Sequence, residues 1–368
     1  MTVGIVGAGQ LGRMMALAGY PLGLDFLFLD KDARTPGGQV APILEGELTD
    51  RGLLGRLSER CEVLTFDWEN IPVEALENLP GNARIAPPLR ALGCAQDRLS
   101  EKRTFELLGI PTTRYAAVDS RAALEAAVQA IGLPGVLKTR RMGYDGKGQF
   151  VMRKPADLDA AWAALGTVPL LYENLVPFQG EVSIIAVRGS DGKTAFYPLN
   201  LNVHREGILR LTRAPYGNAA LTRQAQRAAR RLLEHFGYVG VLTIEFFVSR
   251  GKLIANEMAP RVHNSGHWTI EGADTSQFEN HVRAIAGLPL GSTRPRGFSA
   301  MINLVGELPD RDSLLREAGI HWHDYGKSAR PGRKLGHLTL VENTAKTLNT
   351  RAFKVLKRVD RATWLAVR

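Results

Sequence analysis

The chain has 368 residues, 45% of them hydrophobic and 23% charged, which predicts two or three soluble globular domains with well-buried cores. No apolar run approaches the roughly 20 residues of a membrane span, and an N-terminus that passes straight into an apolar strand does not read as a signal peptide. The net charge of +10 suits a phosphorylated small substrate, whereas the scattered basic residues lack any accompanying nucleic-acid motif and give no reason to expect such a partner.

Residues 2–6 read as an apolar strand, followed by Gly7-Ala8-Gly9-Gln10-Leu11-Gly12 and a helix through residue 19. This GxGxxG sits at a strand-to-helix turn. A second strand, 24–29, ends at Asp30, near the roughly 20-residue spacing of the dinucleotide fingerprint. Two readings stand at this point: an NAD(P)-dependent oxidoreductase, or a Rossmann-like unit whose helix N-terminus holds another anion. Residues 63–66 form a third strand. Asp67-Trp68-Glu69-Asn70-Ile71-Pro72 lies just beyond its carboxyl end, where open α/β sheets bind ligands. Alternatively, Glu69 or Asn70 only caps a helix over 73–79. The two cysteines, Cys61 and Cys94, have no metal-type spacing and read as reduced packing residues of a cytoplasmic protein.

Residues 95–108 predict one helix that Asp97 can cap, with Arg98 and Lys102 one turn apart; without further context this basic pair reads as surface charge. Ser120 caps a helix to residue 131. An apolar strand, 136–138, then opens into a basic loop with three glycines, Gly143, Gly146 and Gly148, and Gln149 begins the returning strand. Glycines let backbone amides approach a phosphate closely, and Lys138, Arg140, Arg141 and Lys147 add positive charge. The pattern is not a Walker A loop, because no GK[ST] opens a helix after it. A flexible basic hairpin is the alternative. A helix over 157–165 and a strand over 170–173 lead to 174–178, which reads as a hinge.

Strands from 180 onward alternate as in an antiparallel sheet with one wet face. The helix 221–236 carries Arg223, Arg227, Arg230 and Arg231 on a solvated face. Strands 241–248 and 253–258 flank a turn at Arg250-Gly251. A two-residue turn there sets Glu245 opposite Asn256, with Glu257 one step away. Such an oxygen cluster suits Mg²⁺ sharing phosphate oxygens; the alternative is glutamates paired with nearby Lys or Arg. The donor-rich loop 259–268 reads as an anion-binding loop, since two histidines without a third ligand do not make a zinc site. A strand over 298–305, a short helix over 312–317, a basic cluster at 330–338 and a basic amphipathic helix over 346–368 complete the chain.

Rossmann-like lobe, glycine-rich loop, hinge and paired glutamates, in that order, resemble the ATP-grasp superfamily. GAGQLGRM (7–14), TFDWENIP (65–72), QDR (96–98), GYDGKGQ (143–149), GEVS (180–183), NEMAPRVHNSGHWT (256–269) and RPGRKLGHL (330–338) are similar to the N5-carboxyaminoimidazole ribonucleotide synthases, over nearly the whole chain. The resemblance implies a mixed α/β and α+β architecture. A Rossmann-like, pre-ATP-grasp N-terminal domain (1–95) precedes a small ATP-grasp lobe (96–178), a large lobe (179–295) and a small C-terminal domain (296–368). It implies ATP- and bicarbonate-dependent carboxylation of 5-aminoimidazole ribonucleotide through carboxyphosphate, in a cytoplasmic homodimer. By position, Arg98, Lys138, His204, Gly143, Tyr144, Asp145, Gly146, Lys147, Gly148 and Gln149 would surround ATP phosphates. Glu173, Asn174, Leu175 and Val176 would hold adenine, and Glu181 the ribose. Glu245 and Glu257 would bind Mg²⁺ beside Asn256. Lys138, Arg261 and Glu257 would act in catalysis. Substrate candidates are Gln10, Leu11, Gly12, Glu69, Asn70, His263, Asn264, Ser265, Arg333 and Lys334. Asp67 stands where many relatives carry glutamate, which leaves Glu69 and Asn70 the stronger candidates. A formate-dependent glycinamide ribonucleotide formyltransferase is the nearest alternative.

Overall fold

The structure, a computed structural model, describes residues 1–143 and 146–367. Tyr144, Asp145 and Arg368 lie outside the described residues.

The first sheet contains β1 (Thr2–Val6), β2 (Asp25–Asp30), β3 (Ile43–Glu45), β4 (Val63–Phe66) and β5 (Arg84–Ile85). All five are parallel in the order β3-β2-β1-β4-β5. Successive residues of β1 enter different cores: Val3 and Ile5 join one, Val6 the other. A sheet covered on both faces needs such continuously apolar strands. The Gln10–Gly19 helix follows β1 directly.

The second sheet holds β6 (Tyr115–Val118), β7 (Gly135–Thr139), β8 (Gln149–Met152) and β9 (Leu170–Asn174), antiparallel in the order β6-β9-β7-β8. Helices Arg121–Ile131 and Asp157–Leu165 pack their apolar residues against Leu137, Leu170 and Tyr172. The loop between β7 and β8 is the glycine-rich stretch.

The third sheet has nine strands: β10 (Gly180–Arg188), β11 (Thr194–Phe196), β12 (Asn200–Arg205), β13 (Ile208–Ala214), β14 (Gly240–Ser249), β15 (Lys252–Ala259), β16 (Phe298–Val305), β17 (Ile320–Asp324) and β18 (Lys334–Glu342). Its main order is β15-β14-β10-β12-β13-β16-β18-β17, so residues after 296 extend this sheet. Thr112, just before β6, makes an isolated parallel bridge to Ala255 of β15 and so ties the approach to the second sheet to the edge of the third.

Several local expectations change. β10 is buried at six successive positions, so it has no wet face. Val182, Ile184 and Ala186 pack under the Ala219–Phe236 helix, while Ile185 and Val187 join a core with Trp268 and Phe278. The predicted 95–108 helix is Arg98–Leu107, starting later because Asp97 caps it by accepting from the Leu99 amide at 2.9 Å, and a separate helix, Leu89–Ala95, precedes it. The predicted single C-terminal helix is also two, Ala345–Val359 and Arg361–Val367, separated at Asp360, whose carboxylate pairs with Arg205 at 2.7 Å. The basic cluster at 330–338 leads into β18, whose apolar residues are core. Among the described residues no helix is long and apolar enough to cross a membrane.

Candidate active site

A cavity of about 770 Å³ opens where the three sheets converge. Gln10, Leu11, Glu69 and Asn70 of the first domain line it, with Arg98, Gly143 and Lys147 from the small lobe. Glu257, Arg261, His263 and Asn264 come from the large lobe, and Arg333 and Lys334 from the C-terminal segment. Side chains far apart in sequence thus share one wall because each sits at a strand end, in a loop or in the first turn of a helix.

The first-domain wall is built against its own carboxylates. Asp30 accepts from the Ala8 amide at 2.6 Å, and Asp67 accepts from the Gly12 amide at 3.3 Å. A Cβ at Gly7 or Gly9 would come within 2.6 or 2.5 Å of an Asp67 oxygen. The glycines therefore admit an aspartate, and Asp30 is committed to the turn rather than to a ribose, which removes the basis of the dinucleotide reading. Gly12 is absent from the cavity wall and its amide is taken, so only Gln10 and Leu11 of that group face the space. Burial pushes the Asp67 carboxyl up to about 6 despite the Gly12 amide.

Gln96 donates to the carbonyls of Glu69 at 2.8 Å and Ile71 at 2.6 Å, which fixes the loop after β4. Glu69 and Arg261 then form a two-pronged pair, with Arg261 Nη2 2.7 Å from Glu69 Oε1 and Nε bonded to Oε2. This geometry is the strong form of the carboxylate–guanidinium contact. Against the upward push of burial, Arg261 holds Glu69 below the usual carboxylate range.

His263 Nδ1 lies 2.9 Å from Ser265 Oγ, and its Nε2 lies 3.6 Å from Glu245 Oε1. Burial, then Arg261 and Lys334, keep this imidazole neutral. Ser265 is fully buried beneath the wall, 2.8 Å from Ser183 Oγ, so it supports His263 rather than facing a ligand. Asn264 exchanges amide hydrogen bonds with Asn303 at 3.0 and 2.7 Å.

The β14–β15 hairpin corrects the expected register. Arg250 and Gly251 both have positive φ, which a two-residue turn of this hand needs. Ser249 pairs with Lys252 and Phe246 with Ala255, as the turn dictates, but Glu245 pairs with Glu257. The register shift makes Asn256 the extra residue of a β-bulge. Both carboxylates therefore share one face. Arg98 Nη1 reaches Glu257 Oε2 at 3.2 Å. Burial pushes Glu245 up to about 7, with His204 opposing and Glu257 reinforcing the shift.

Glu173 is buried, its Oε1 3.0 Å from Lys138 Nζ, and its Oε2 2.6 Å from Thr113 Oγ1 and 3.3 Å from Lys102 Nζ. Burial raises its pKa, but Lys138 and Lys102 overcome that and hold it far below the usual range. Its carboxylate is committed inside the protein, contrary to a direct adenine contact. The hinge amides of Asn174 and Leu175 donate to Arg114 and Pro134 carbonyls at 3.1 and 3.0 Å. Val176 is buried. Glu181 Oε1 lies 3.1 Å from His204 Nδ1, and, although burial opposes it, this pairing raises the His204 pKa.

Arg140 and Arg141, which sequence reasoning left without roles, both converge on Asp97. Arg140 bonds it through Nη2 at 2.6 Å and Nε at 3.1 Å; Arg141 lies 3.6 Å away. They anchor the base of the glycine-rich loop. Farther out, Gly146 lies against the Glu206–Gly207 turn: a Cβ there would meet Glu206 O and Gly207 Cα at 3.2 Å. Gly148 has φ of +69° and a Cβ would lie 2.5 Å from Thr139 Oγ1, so this position requires glycine. Gln149 pairs with Lys138 across β7–β8 and is exposed. Tyr144 and Asp145, predicted for the same loop, lie outside the described residues.

Two basic residues escaped the sequence reading. Lys327, in the segment before β18, lines the cavity and bonds Gln10 Oε1. Lys102, read as surface charge, is fully buried. Its spacing from Arg98 looked like an exposed helix face, and only the packing of that helix under β15 shows otherwise.

This architecture, with a glycine-rich β7–β8 loop and a pair of facing carboxylates on two antiparallel sheets, defines an ATP-grasp ligase. An ATP-grasp domain matches residues 103–278, preceded by a ribonucleotide synthetase preATP-grasp domain at 1–96 and followed by a phosphoribosylaminoimidazole carboxylase C-terminal domain at 299–351. The chain is 49% identical to the N5-carboxyaminoimidazole ribonucleotide synthase of Pseudomonas aeruginosa, across 96% of this chain and 98% of that one. The crystal structure of the Thermus thermophilus synthetase superposes with a TM-score of 0.92 at 51% identity, covering 97% and 98% of the two chains. An Aspergillus clavatus synthase in complex with ADP and 5-aminoimidazole ribonucleotide superposes at 0.91 with 31% identity, covering 98% of each. The chain belongs to the N5-carboxyaminoimidazole ribonucleotide synthase family, ATP-dependent ligases of purine biosynthesis.

Proposed function

We propose that this cavity couples ATP cleavage to carboxylation of the 5-amino group of 5-aminoimidazole ribonucleotide. The observation that carries the reading is the convergence on one cavity of Gly143 and Lys147 from the glycine-rich loop, Glu257 from the carboxylate pair and a cationic wall. We assign 1–95 to a Rossmann-like domain, 96–178 to the small lobe, 179–295 to the large lobe and 296–368 to the C-terminal part. A cytoplasmic homodimer is the assembly we expect.

The carboxylate pair fits a divalent cation. Asn256 Oδ1 beside it is buried without a hydrogen-bond partner, and two partly buried carboxylates directly opposite each other on one sheet face repel unless neutralised. Among the described residues no cluster of three metal-type side chains exists, which suits Mg²⁺, since that ion takes few protein oxygens and shares those of phosphate. Bound there, Mg²⁺ would neutralise phosphate charge.

The protein's own groups supply the rest. Lys138 and Arg98 place positive charge beside the transferring phosphoryl group, and phosphoryl transfer needs positioning and charge neutralisation above all. Glu181 and His204 hold the nucleotide at the sheet face, with the hinge on the adenine side. Bicarbonate sits against Arg261 and neutral His263, and becomes carboxyphosphate. Lys147 and the glycine-rich loop close over it and exclude water, because carboxyphosphate hydrolyses quickly. The amine of the ribonucleotide then attacks the carboxyl carbon, or CO₂ released from it, and phosphate leaves. Gln10, Leu11, Lys327, Arg333 and Lys334 form the cationic end that holds the ribonucleotide phosphate, and Glu69 and Asn70 border the aminoimidazole.

Incubation with Mg-ATP and bicarbonate, with and without 5-aminoimidazole ribonucleotide, tests the reading. ADP release should be stimulated by the ribonucleotide; absence of stimulation overturns it.

A further inference from the structure

Lys102 lies one helical turn beyond Arg98, is 0% exposed, and does not line the cavity. Its Nζ is 3.0 Å from Thr112 Oγ1, 3.3 Å from Ala255 O, 3.0 Å from Asn256 O and 3.3 Å from Glu173 Oε2. Thr112 Oγ1 also donates to Ala255 O at 2.8 Å. An ammonium has three protons, and here oxygens from three separate segments of chain surround it.

Two of those oxygens belong to the bulge. The ladder passes from Phe246↔Ala255 to Glu245↔Glu257, so Asn256 has no partner across the strand. A bulge leaves carbonyls outside the ladder, and buried ones must be bonded elsewhere. Lys102 takes the carbonyls of both Ala255 and Asn256. In an unbroken ladder, Glu257 would pair with Ile244 and face the other side of the sheet, because strand side chains alternate. The fourth oxygen belongs to Glu173, whose other oxygen holds Lys138.

We propose that Lys102 is a positioning residue that locks the β15 bulge, turning Glu257 to the side of Glu245, and through Glu173 sets Lys138 against the same site. One buried cation thereby ties the geometry of the carboxylate pair on the large lobe to that of the phosphate-facing lysine on the small lobe. The inference rests on the reading of Glu245 and Glu257 as the Mg-ATP carboxylates.

The test compares wild type with Lys102→Met, which keeps the length of the side chain and removes its charge. Binding of ADP is measured by calorimetry with and without Mg²⁺, and amide exchange is followed over residues 253–259. The strengthening of ADP binding by Mg²⁺ should fall at least about tenfold, the scale of losing an outer support of a metal ligand. Exchange over 253–259 should rise while β16 and β18 stay protected. Glu257→Gln is the control. If it retains the full Mg²⁺ effect, the carboxylate reading itself fails; if it loses the effect while Lys102→Met keeps it, the role of Lys102 is overturned.

A purely structural counterion makes a different forecast. The double variant Lys102→Met with Glu173→Gln removes the buried carboxylate that has lost one of its two cations, and should regain thermal stability without regaining the Mg²⁺ effect. Recovery of both would overturn the proposal. Should Lys102→Met fail to fold, Thr112→Val loosens the same carbonyl and should lower the Mg²⁺ effect about threefold, a smaller loss than a direct support would cause; an unchanged effect there overturns the proposal.

Discussion

Glu245 stands directly opposite Glu257 across the β14–β15 pair, although the turn at Arg250-Gly251 sets a register in which it would face Asn256. The bulge at Asn256 shifts that register by one residue. Since side chains alternate along a strand, one residue decides whether two carboxylates share a face or lie on opposite sides of the sheet. Replacing either acid by glutamine keeps the shape and removes a charge. Glu245→Gln and Glu257→Gln should each lower kcat at least about 100-fold with little change in Tm. Turnover assays across a Mg²⁺ series check this, and wild-type rates would refute the assignment.

The Glu69–Arg261 pair joins the first domain to the large lobe at the cavity wall. Glu69→Ala leaves a half-buried guanidinium without its partner. Removing one member of a well-buried pair costs about 3–5 kcal/mol, and partial access to the cavity places this pair at or below the lower end. Chemical denaturation should show a loss of about 2–3 kcal/mol, accompanied by a higher KM for the ribonucleotide.

Lys327 gives the cationic end of the cavity, where we place the ribonucleotide phosphate, a pH dependence. Burial, together with Arg333 and Lys334, lowers its pKa to about 8 although Asp67 opposes the shift. It is a cation below that pH and loses its charge above it. The KM for the ribonucleotide should therefore rise as pH increases through about 8, and this limb should vanish in Lys327→Met. A KM flat from pH 7 to 9 would remove Lys327 from the phosphate site.

Asp67 bears on stability. Its folded pKa of about 6 exceeds the unfolded carboxylate value, so between roughly pH 4 and 6 the folded state binds more protons than the unfolded. Stability falls as pH rises through that window, and ionised Asp67 is a net cost at neutral pH. Asp67→Asn, which can still accept from the Gly12 amide, should stabilise the protein at pH 7 by about 1–2 kcal/mol, the carboxyl facing a wet cavity, and by little at pH 4. Thermal melts at the two pH values test the sign.

Arg140 fixes the base of the glycine-rich loop, which we propose as the lid, through its two-pronged bond to Asp97. Arg140→Ala retains the Asp97 cap on the Arg98–Leu107 helix but frees the loop base. KM for ATP should rise several-fold, about the worth of one charge-assisted bond, and limited proteolysis should cut 141–149 faster in the presence of ADP than in wild type. Equal cleavage rates would argue that the loop is held elsewhere.

Much of this protein was legible in the order of its residues. β1, β4 and β16 match their sequence bounds because apolar runs bounded by glycine or polar residues can be little else. Ser120 and Asp97 announced helix starts through the chemistry of capping. The glycine-rich stretch and the HNSGH segment carry family likeness because their backbone and donor requirements are local. What the sequence could not determine was set by contacts between distant segments. The alternation of β10 suggested a wet face, yet helices on both sides bury it. Lys102 read as surface charge until its helix was packed under β15. Arg140 and Arg141 acquired a purpose only when Asp97 came within reach. The register of Glu257 depends on a bulge whose freed carbonyls are satisfied from another lobe. Local sequence dictates periodicity, caps and turns, which involve neighbours along the chain. Which buried charge meets which, and which face a carboxylate finally presents, depends on desolvation and pairing across the folded core.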